Sequence, residues 1–242
     1  MLTVLACLIA CGSSDSPPPK NDKNINWSVP VISNWPLNTP IPKEIKDKKL
    51  QGAPLALRNY VVIFDDSGSM GDSIGGENKI DIARKALARW IKTIPDKDNV
   101  GLVTFHSGQV EIAPLKTNRE KILRLVNDTS PNDGTPLSKA MADAYNMMIT
   151  RGLLQLGYGE YTIVVVTDGE ANDKDTLTKW VNWIVGNSPV QIFTIGLDIS
   201  SKNSLNRVGV TTYREANNYA ELERSLGDVT AESPTFDVTD FK

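Results

Sequence analysis

The chain has 242 residues, of which 40% are hydrophobic and 23% charged, near the average of a globular protein, so disorder throughout is excluded. Its 26 basic and 29 acidic side chains give a net charge of −3, which argues against a nucleic-acid binder. A single His, and two Cys confined to positions 7 and 11, exclude His-rich zinc chemistry, a His-based triad, and any disulfide framework or thiolate site in the body of the chain. The acidity is concentrated in the folded part. Residues 12–50 carry six Lys against four acids, a surplus of two, which leaves −5 for residues 51–242. Any metal bound here is expected to be hard and held by oxygen.

The start, MLTVLACLIAC, is apolar apart from Thr3 and much too short to span a bilayer, which needs about 20 apolar residues. It has the length of the apolar part of a secretory signal. Leu8-Ile9-Ala10-Cys11 resembles the lipobox of bacterial lipoproteins, in which the signal is cut before a Cys that then carries lipid. Residues 1–10 are accordingly expected to be a signal peptide, and Cys11 to be lipidated. No Lys or Arg precedes the apolar run, so Met1 reads as an internal start codon. Residues 11–25 follow as a Ser-, Pro- and Asn-rich tether that cannot bury a core. Residues 26–56 hold Trp27, Trp35 and five prolines, too many for a helix or central strand, and are expected to pack as an extended strap, with a partner-binding arm as the alternative.

From residue 57 to 228 short apolar runs alternate with amphipathic stretches. Asn59–Phe64 reads as a strand, and Lys79–Ile94 as a helix with Ile80, Ala83, Leu87, Trp90, Ile91 and Ile94 on one face. Strands are expected at Asn99–Phe105 and, joined to it by a turn, at Gln109–Ala113; a helix follows at Asn118–Asn127. Pro136 belongs in the first turn of a long helix reaching about Leu156, closed by Gly157. Tyr161–Thr167 is a β-branched run expected to be buried on both faces. Helices at Asp175–Val185 and Ser201–Val208, a strand at Val190–Leu197, and a last strand and helix at Thr212–Arg214 and Tyr219–Leu226 complete the domain, leaving residues 229–242 as a tail.

This alternation predicts an α/β protein: a doubly wound, mostly parallel six-stranded sheet with helices on both faces and one short antiparallel edge strand. In such sheets ligands bind beyond the C-terminal ends of strands, at the switch point. The first strand ends there in Asp65-Asp66-Ser67-Gly68-Ser69-Met70-Gly71, the central one in Thr167-Asp168-Gly169-Glu170, and a loop Asn132-Asp133-Gly134-Thr135-Pro136 leads into the long helix. At these points the sequence resembles the von Willebrand factor A domain family, whose metal-ion-dependent adhesion site uses an Asp-x-Ser-x-Ser loop, a Thr and a further Asp.

The resemblance implies metal ligation by Asp65, Ser67, Ser69, Thr135 and Asp168, with Gly68, Asp133, Gly134, Gly169 and Glu170 around them. It also implies that the ion captures an acidic side chain of a protein partner. Two carboxylates and three hydroxyls form an all-oxygen set suited to Mg²⁺ or Mn²⁺, and a divalent ion would relieve the repulsion between the carboxylates. Asp66 fills the variable position and is expected not to ligate, Asp72 and Glu77 to rim the site, and His106 to lie at a surface turn. Trp180 and Trp183 read as core, and Glu221 with Arg224 as a solvated helix face.

The resulting expectation is a non-enzymatic adhesion or assembly domain on a membrane-anchored lipoprotein of the cell envelope, with an outer membrane or cell surface favoured by Gly12 after the lipid-bearing Cys. A scaffold with a structural metal is one alternative. An Asp-dependent phosphohydrolase is the other; it is disfavoured because Ser67 stands where that chemistry needs a second Asp and no Lys is placed to complete such a site.

Overall fold

The computed structural model describes residues 56–106, 109–132, 134–155, 157–169, 171–199 and 203–231. Cys11, the tether, the Trp- and Pro-rich segment, Asp133 and Glu170 lie outside the described residues, as does the end of the tail.

Among the described residues, eight strands and five α-helices follow in order. They are β1 (Arg58–Phe64), β2 (Ser73–Ile74), β3 (Glu77–Asn78), α1 (Lys79–Thr93), β4 (Asn99–His106), β5 (Gln109–Ala113), α2 (Arg119–Asp128), α3 (Leu137–Leu154), β6 (Glu160–Thr167), α4 (Lys174–Asn187), β7 (Gln191–Leu197), β8 (Thr212–Ala216) and α5 (Tyr219–Ala231). Six strands form one sheet in the order β5-β4-β1-β6-β7-β8. All its pairings are parallel except β4 with β5. The expected α/β sheet with one antiparallel edge strand is therefore present.

Side-chain alternation along the strands divides the interior in two. From β1, Tyr60, Val62 and Phe64 join a core with α1, α2 and α5, while Val61 and Ile63 join a second core with α3 and α4. Because β1 and β6 are central and covered on both sides, neither needs a polar face. Ile163, Val164, Val165 and Val166 of β6 are all fully buried, each worth about 1.5–3 kcal/mol over an exposed position. Trp180 lies in the second core and Trp183 packs against it.

The element boundaries follow local chemistry. Asn118 caps α2, its side-chain oxygen accepting from the backbone N–H of Glu120 at 2.9 Å and Lys121 at 3.3 Å. Pro136 sits at the N-cap of α3, one residue before the first turn. One expectation needs correction. The helix expected from Ser201 is absent over 203–208, where turns stand instead. The Asn203 side chain accepts from the N–H groups of Leu205 and Asn206, at 3.0 and 3.1 Å, and so holds the backbone in a turn. The Gly-rich loop after β1 folds into the β2–β3 hairpin, with Gly75 and Gly76 at φ of 60° and 91°. Glu221 bonds the backbone N–H of Asn217 at 2.8 Å and so organises the start of α5.

Candidate metal centre

The helices that follow β1 and β6 leave toward opposite faces of the sheet, since α1 packs in the first core and α4 in the second. The two strands are neighbours, so a crevice opens between their C-terminal ends. Asp65 is the first residue beyond β1 and Asp168 the first beyond β6.

The first loop is shaped by its own polar groups. One carboxylate oxygen of Asp65 accepts from the Ser67 N–H at 2.9 Å, and the other accepts from the Thr167 hydroxyl. The Asp65 N–H continues the sheet by donating to the Val166 carbonyl at 2.9 Å. A short 3₁₀ turn over Gly68–Gly71 follows, anchored by the fully buried Met70. It brings the Ser67 and Ser69 Oγ atoms within 3.3 Å, and Ser69 Oγ donates to Asp168 Oδ1 at 2.7 Å. Asp65, Ser67, Ser69 and Asp168 thus form one connected set of oxygens.

The second loop is stitched to the first. Ser67 and Asn132 form an isolated parallel bridge, and the Asn132 N–H donates to the Asp66 carbonyl at 2.7 Å. Gly134 then turns the chain at φ 86°, a conformation open to glycine at little cost. Thr135 follows, nearly buried, its carbonyl accepting from Leu137 N–H at 2.9 Å and from Asn172 N–H, on the third loop, at 3.4 Å. The Thr135 backbone is therefore tied to the segment after β6. Of the other two loop glycines, neither Gly68 nor Gly169 has a positive φ, and a Cβ on Gly169 would stand 3.8 Å from Ser69 Oγ, an ordinary contact.

Asp66 has a different task. It is buried, and its Oδ1 accepts from the Phe105 N–H at 2.7 Å, joining the first loop to the end of β4. Asp72 accepts from the Lys79 N–H through its carbonyl, and Glu77 pairs with Lys85 at the surface.

Lys79 is the residue that sequence reasoning missed. It opens α1 and is buried, and its ammonium donates to Asp168 Oδ2 at 3.0 Å while standing 3.5 Å from Asp198. The repulsion expected between Asp65 and Asp168 is thus already met by a cation from the protein, and the expectation that no Lys stands at the site is overturned. One sequence signal was available. A cation at the first position of a helix faces the positive end of the helix dipole, so it needs a partner elsewhere.

Burial raises the Asp65 pKa above the usual carboxylate value, against the hydrogen bonds from Thr167 and Ser67; the charge of Asp168 is the smallest contribution. Burial opposes the charged form of Lys79, but the hydrogen bond and charge of Asp168, with Asp198 behind them, outweigh it and raise its pKa. Among the described residues no three His, Cys, Asp or Glu side chains cluster as a metal site. A cation here would depend on the Ser and Thr hydroxyls, and the donor set is the neutral-plus-anionic oxygen mixture that suits Mg²⁺ or Mn²⁺.

Residues 60–170 match the family model described as von Willebrand factor type A domain. Among curated relatives, the uncharacterized protein YwmD of Bacillus subtilis (strain 168) is 31% identical over 129 residues, which are 46% of this chain and 55% of that protein. An uncharacterized protein of Borreliella burgdorferi is 26% identical over 151 residues, 61% of this chain and 42% of its own. The chain spans about half the length of the curated relatives it matches. Among solved structures, the von Willebrand factor type A protein from Catenulispora acidiphila superposes with a TM-score of 0.60 at 21% identity, over 74% of this chain and 43% of that one. The pilus adhesin SpaC from Lactobacillus rhamnosus GG gives 0.60 at 13% identity, over 73% and 30%. The manganese-loaded TRAP protein of Plasmodium vivax gives 0.55 at 17%, over 71% and 72%. The chain carries the von Willebrand factor type A fold.

Proposed function

We propose that this chain is a non-enzymatic interaction module that captures an acidic side chain of a protein partner through Mg²⁺ or Mn²⁺. Asp65, Ser67, Ser69, Thr135 and Asp168 hold the ion, and lipid on Cys11 tethers the module in the cell envelope. The observation that carries the reading is the connected oxygen set at the switch point, running from Ser67 through Ser69 to Asp168 beside the buried Asp65. When bound, the ion supplies a Lewis-acidic position for a carboxylate. The chain's own part is to present hydroxyls that add no negative charge, so that the ion stays electrophilic.

The phosphohydrolase reading gains a Lys from the structure but not an acid. Ser67 stands where that chemistry needs the second Asp that would protonate a leaving group.

Two variants of one residue test the capture mechanism. Thr135→Asp keeps an oxygen ligand and adds charge, so metal binding should persist while capture of an envelope partner weakens. Thr135→Ala removes a ligand, and both should fall. Metal titration by calorimetry, alongside Mg²⁺- and chelator-matched pulldown from the native envelope, reads both quantities. Wild-type capture by a metal-loaded Thr135→Asp variant would make the ion structural and end the bridging mechanism.

A further inference from the structure

The feature that the proposed function leaves unused is a buried lysine at the site itself. The Lys79 side chain is 8% exposed and that of Asp168 fully buried, with 3.0 Å between Nζ and Oδ2. Asp168 divides its two oxygens, Oδ1 toward Ser69 and Oδ2 toward Lys79. A second seat for the ammonium lies close by at Asp198, 3.5 Å away on a side chain that is 56% exposed. Asp198 is held in this place by a left-handed backbone, φ 52°, and by its N–H donating 3.1 Å to the Ala216 carbonyl. The positive end of the helix dipole disfavours a cation at the first residue of α1, so the position is explained by the two carboxylates that Lys79 meets and not by the dipole.

Counting charge shows what this arrangement does. Asp65 and Asp168 carry two negative charges, and a divalent ion alone would bring the pair to zero. With Lys79 retained, the same site holds one excess positive charge. Asp198, 3.5 Å from the ammonium, is the carboxylate that balances this surplus when metal is bound.

We propose that Lys79 is a resident counter-cation of the site, occupying the Asp168 carboxylate when metal is absent and competing with the divalent ion for it. The proposal rests on the metal-dependent reading above. Its consequence is a chain stable without metal, with an affinity for the ion set below what five oxygen ligands alone would give. Metal loading weakens the Lys79–Asp168 contact, and Asp198 keeps the displaced ammonium paired.

The test is titration of Mn²⁺ alone, followed by electron paramagnetic resonance, into the full chain and two variants. Lys79→Met keeps the length of the side chain and removes its charge; Lys79→Arg keeps the charge. Lys79→Met should bind Mn²⁺ roughly tenfold or more tightly than wild type, because a like charge has left the neighbourhood of the ion. Its metal-free melting temperature should fall and its Mn²⁺-induced rise should exceed that of wild type. Lys79→Arg should behave as wild type. If wild type binds Mn²⁺ and Lys79→Met binds it equally or more weakly, Lys79 merely props Asp168 and the proposal is overturned while the metal site stands. If neither protein binds at millimolar Mn²⁺, the metal reading itself falls, and this proposal with it.

A second measurement needs no folded Lys79→Met protein. In wild type labelled with ¹⁵N-lysine, the Lys79 ammonium resonance should shift and lose its protection from exchange as Mg²⁺ saturates the site. An unchanged Lys79 signal at saturating Mg²⁺ overturns the competition.

Discussion

Replacing Asp168 by Asn in the metal-free protein sets two electrostatic effects against each other, and the sign of the result decides between them. Asp168 and Asp65 are both acidic and flank one crevice, so removing one charge relieves a repulsion. Asp168 also holds Lys79, whose ammonium would keep only Asp198, at 3.5 Å, and the weaker carbonyl of the new amide. Leaving one member of a buried pair uncompensated costs about 3–5 kcal/mol. Asp198 and the amide oxygen recover part of this, which puts the loss near 2–3 kcal/mol. The repulsion gained back is smaller, since each carboxylate already has its own hydrogen-bond donors and Lys79 offsets the charge of Asp168. For a chain of this size each kcal/mol moves the melting temperature by about 2–4 °C, so Asp168→Asn should melt about 4–12 °C below wild type in chelator. Thermal unfolding followed by far-ultraviolet circular dichroism, with a urea titration for the free energy, measures it. A higher melting temperature for Asp168→Asn would refute the reasoning and make carboxylate repulsion the dominant force at the metal-free site.

Cys11→Ser should release the protein from membranes or leave it unprocessed, seen by fractionation and intact mass; unchanged behaviour would remove the lipid anchor. Burial raises the Tyr145 and Tyr161 phenols from 10.0 to about 12, against the Ser188 hydrogen bond at Tyr145 and the Arg151 charge at Tyr161. Between pH 10 and 12 the unfolded chain therefore loses protons that the folded protein keeps, and stability should fall as pH rises through that window. Phenolate absorbance of the folded protein should show at least two tyrosines titrating late, one of which disappears in Tyr145→Phe; complete ionisation near pH 10 in the folded state would contradict this burial.

The parts of this protein that its sequence alone determines are those governed by neighbours along the chain. The β-branched run Tyr161–Thr167 announces a strand covered on both faces, and β6 is one of the two central strands. Asn118, Gly157 and the apolar periodicity of Lys79–Ile94 mark element ends and faces because capping, positive φ and helical spacing act within a few residues. The Asp-x-Ser-x-Ser run was legible for the same reason: its shape is set by a bond from Ser67 N–H to Asp65, two positions away. Even locally, competition can hide an outcome, as where the Asn203 side chain takes backbone N–H groups that a helix would have used.

What only the tertiary structure decides is which distant groups meet. The strand order β5-β4-β1-β6-β7-β8 puts β1 beside β6, and so puts Asp65 beside Thr167 and Ser69 beside Asp168, about a hundred residues apart along the chain. The same order brings Lys79 to Asp168 across 89 residues and turns the variable Asp66 into the acceptor of the Phe105 N–H. A lysine in a helical pattern reads as a solvated charge, because charged side chains usually stay in water. Only a crevice that already holds two buried carboxylates makes it favourable to bury the ammonium instead, and that crevice exists once the helices after β1 and β6 have left on opposite faces of the sheet.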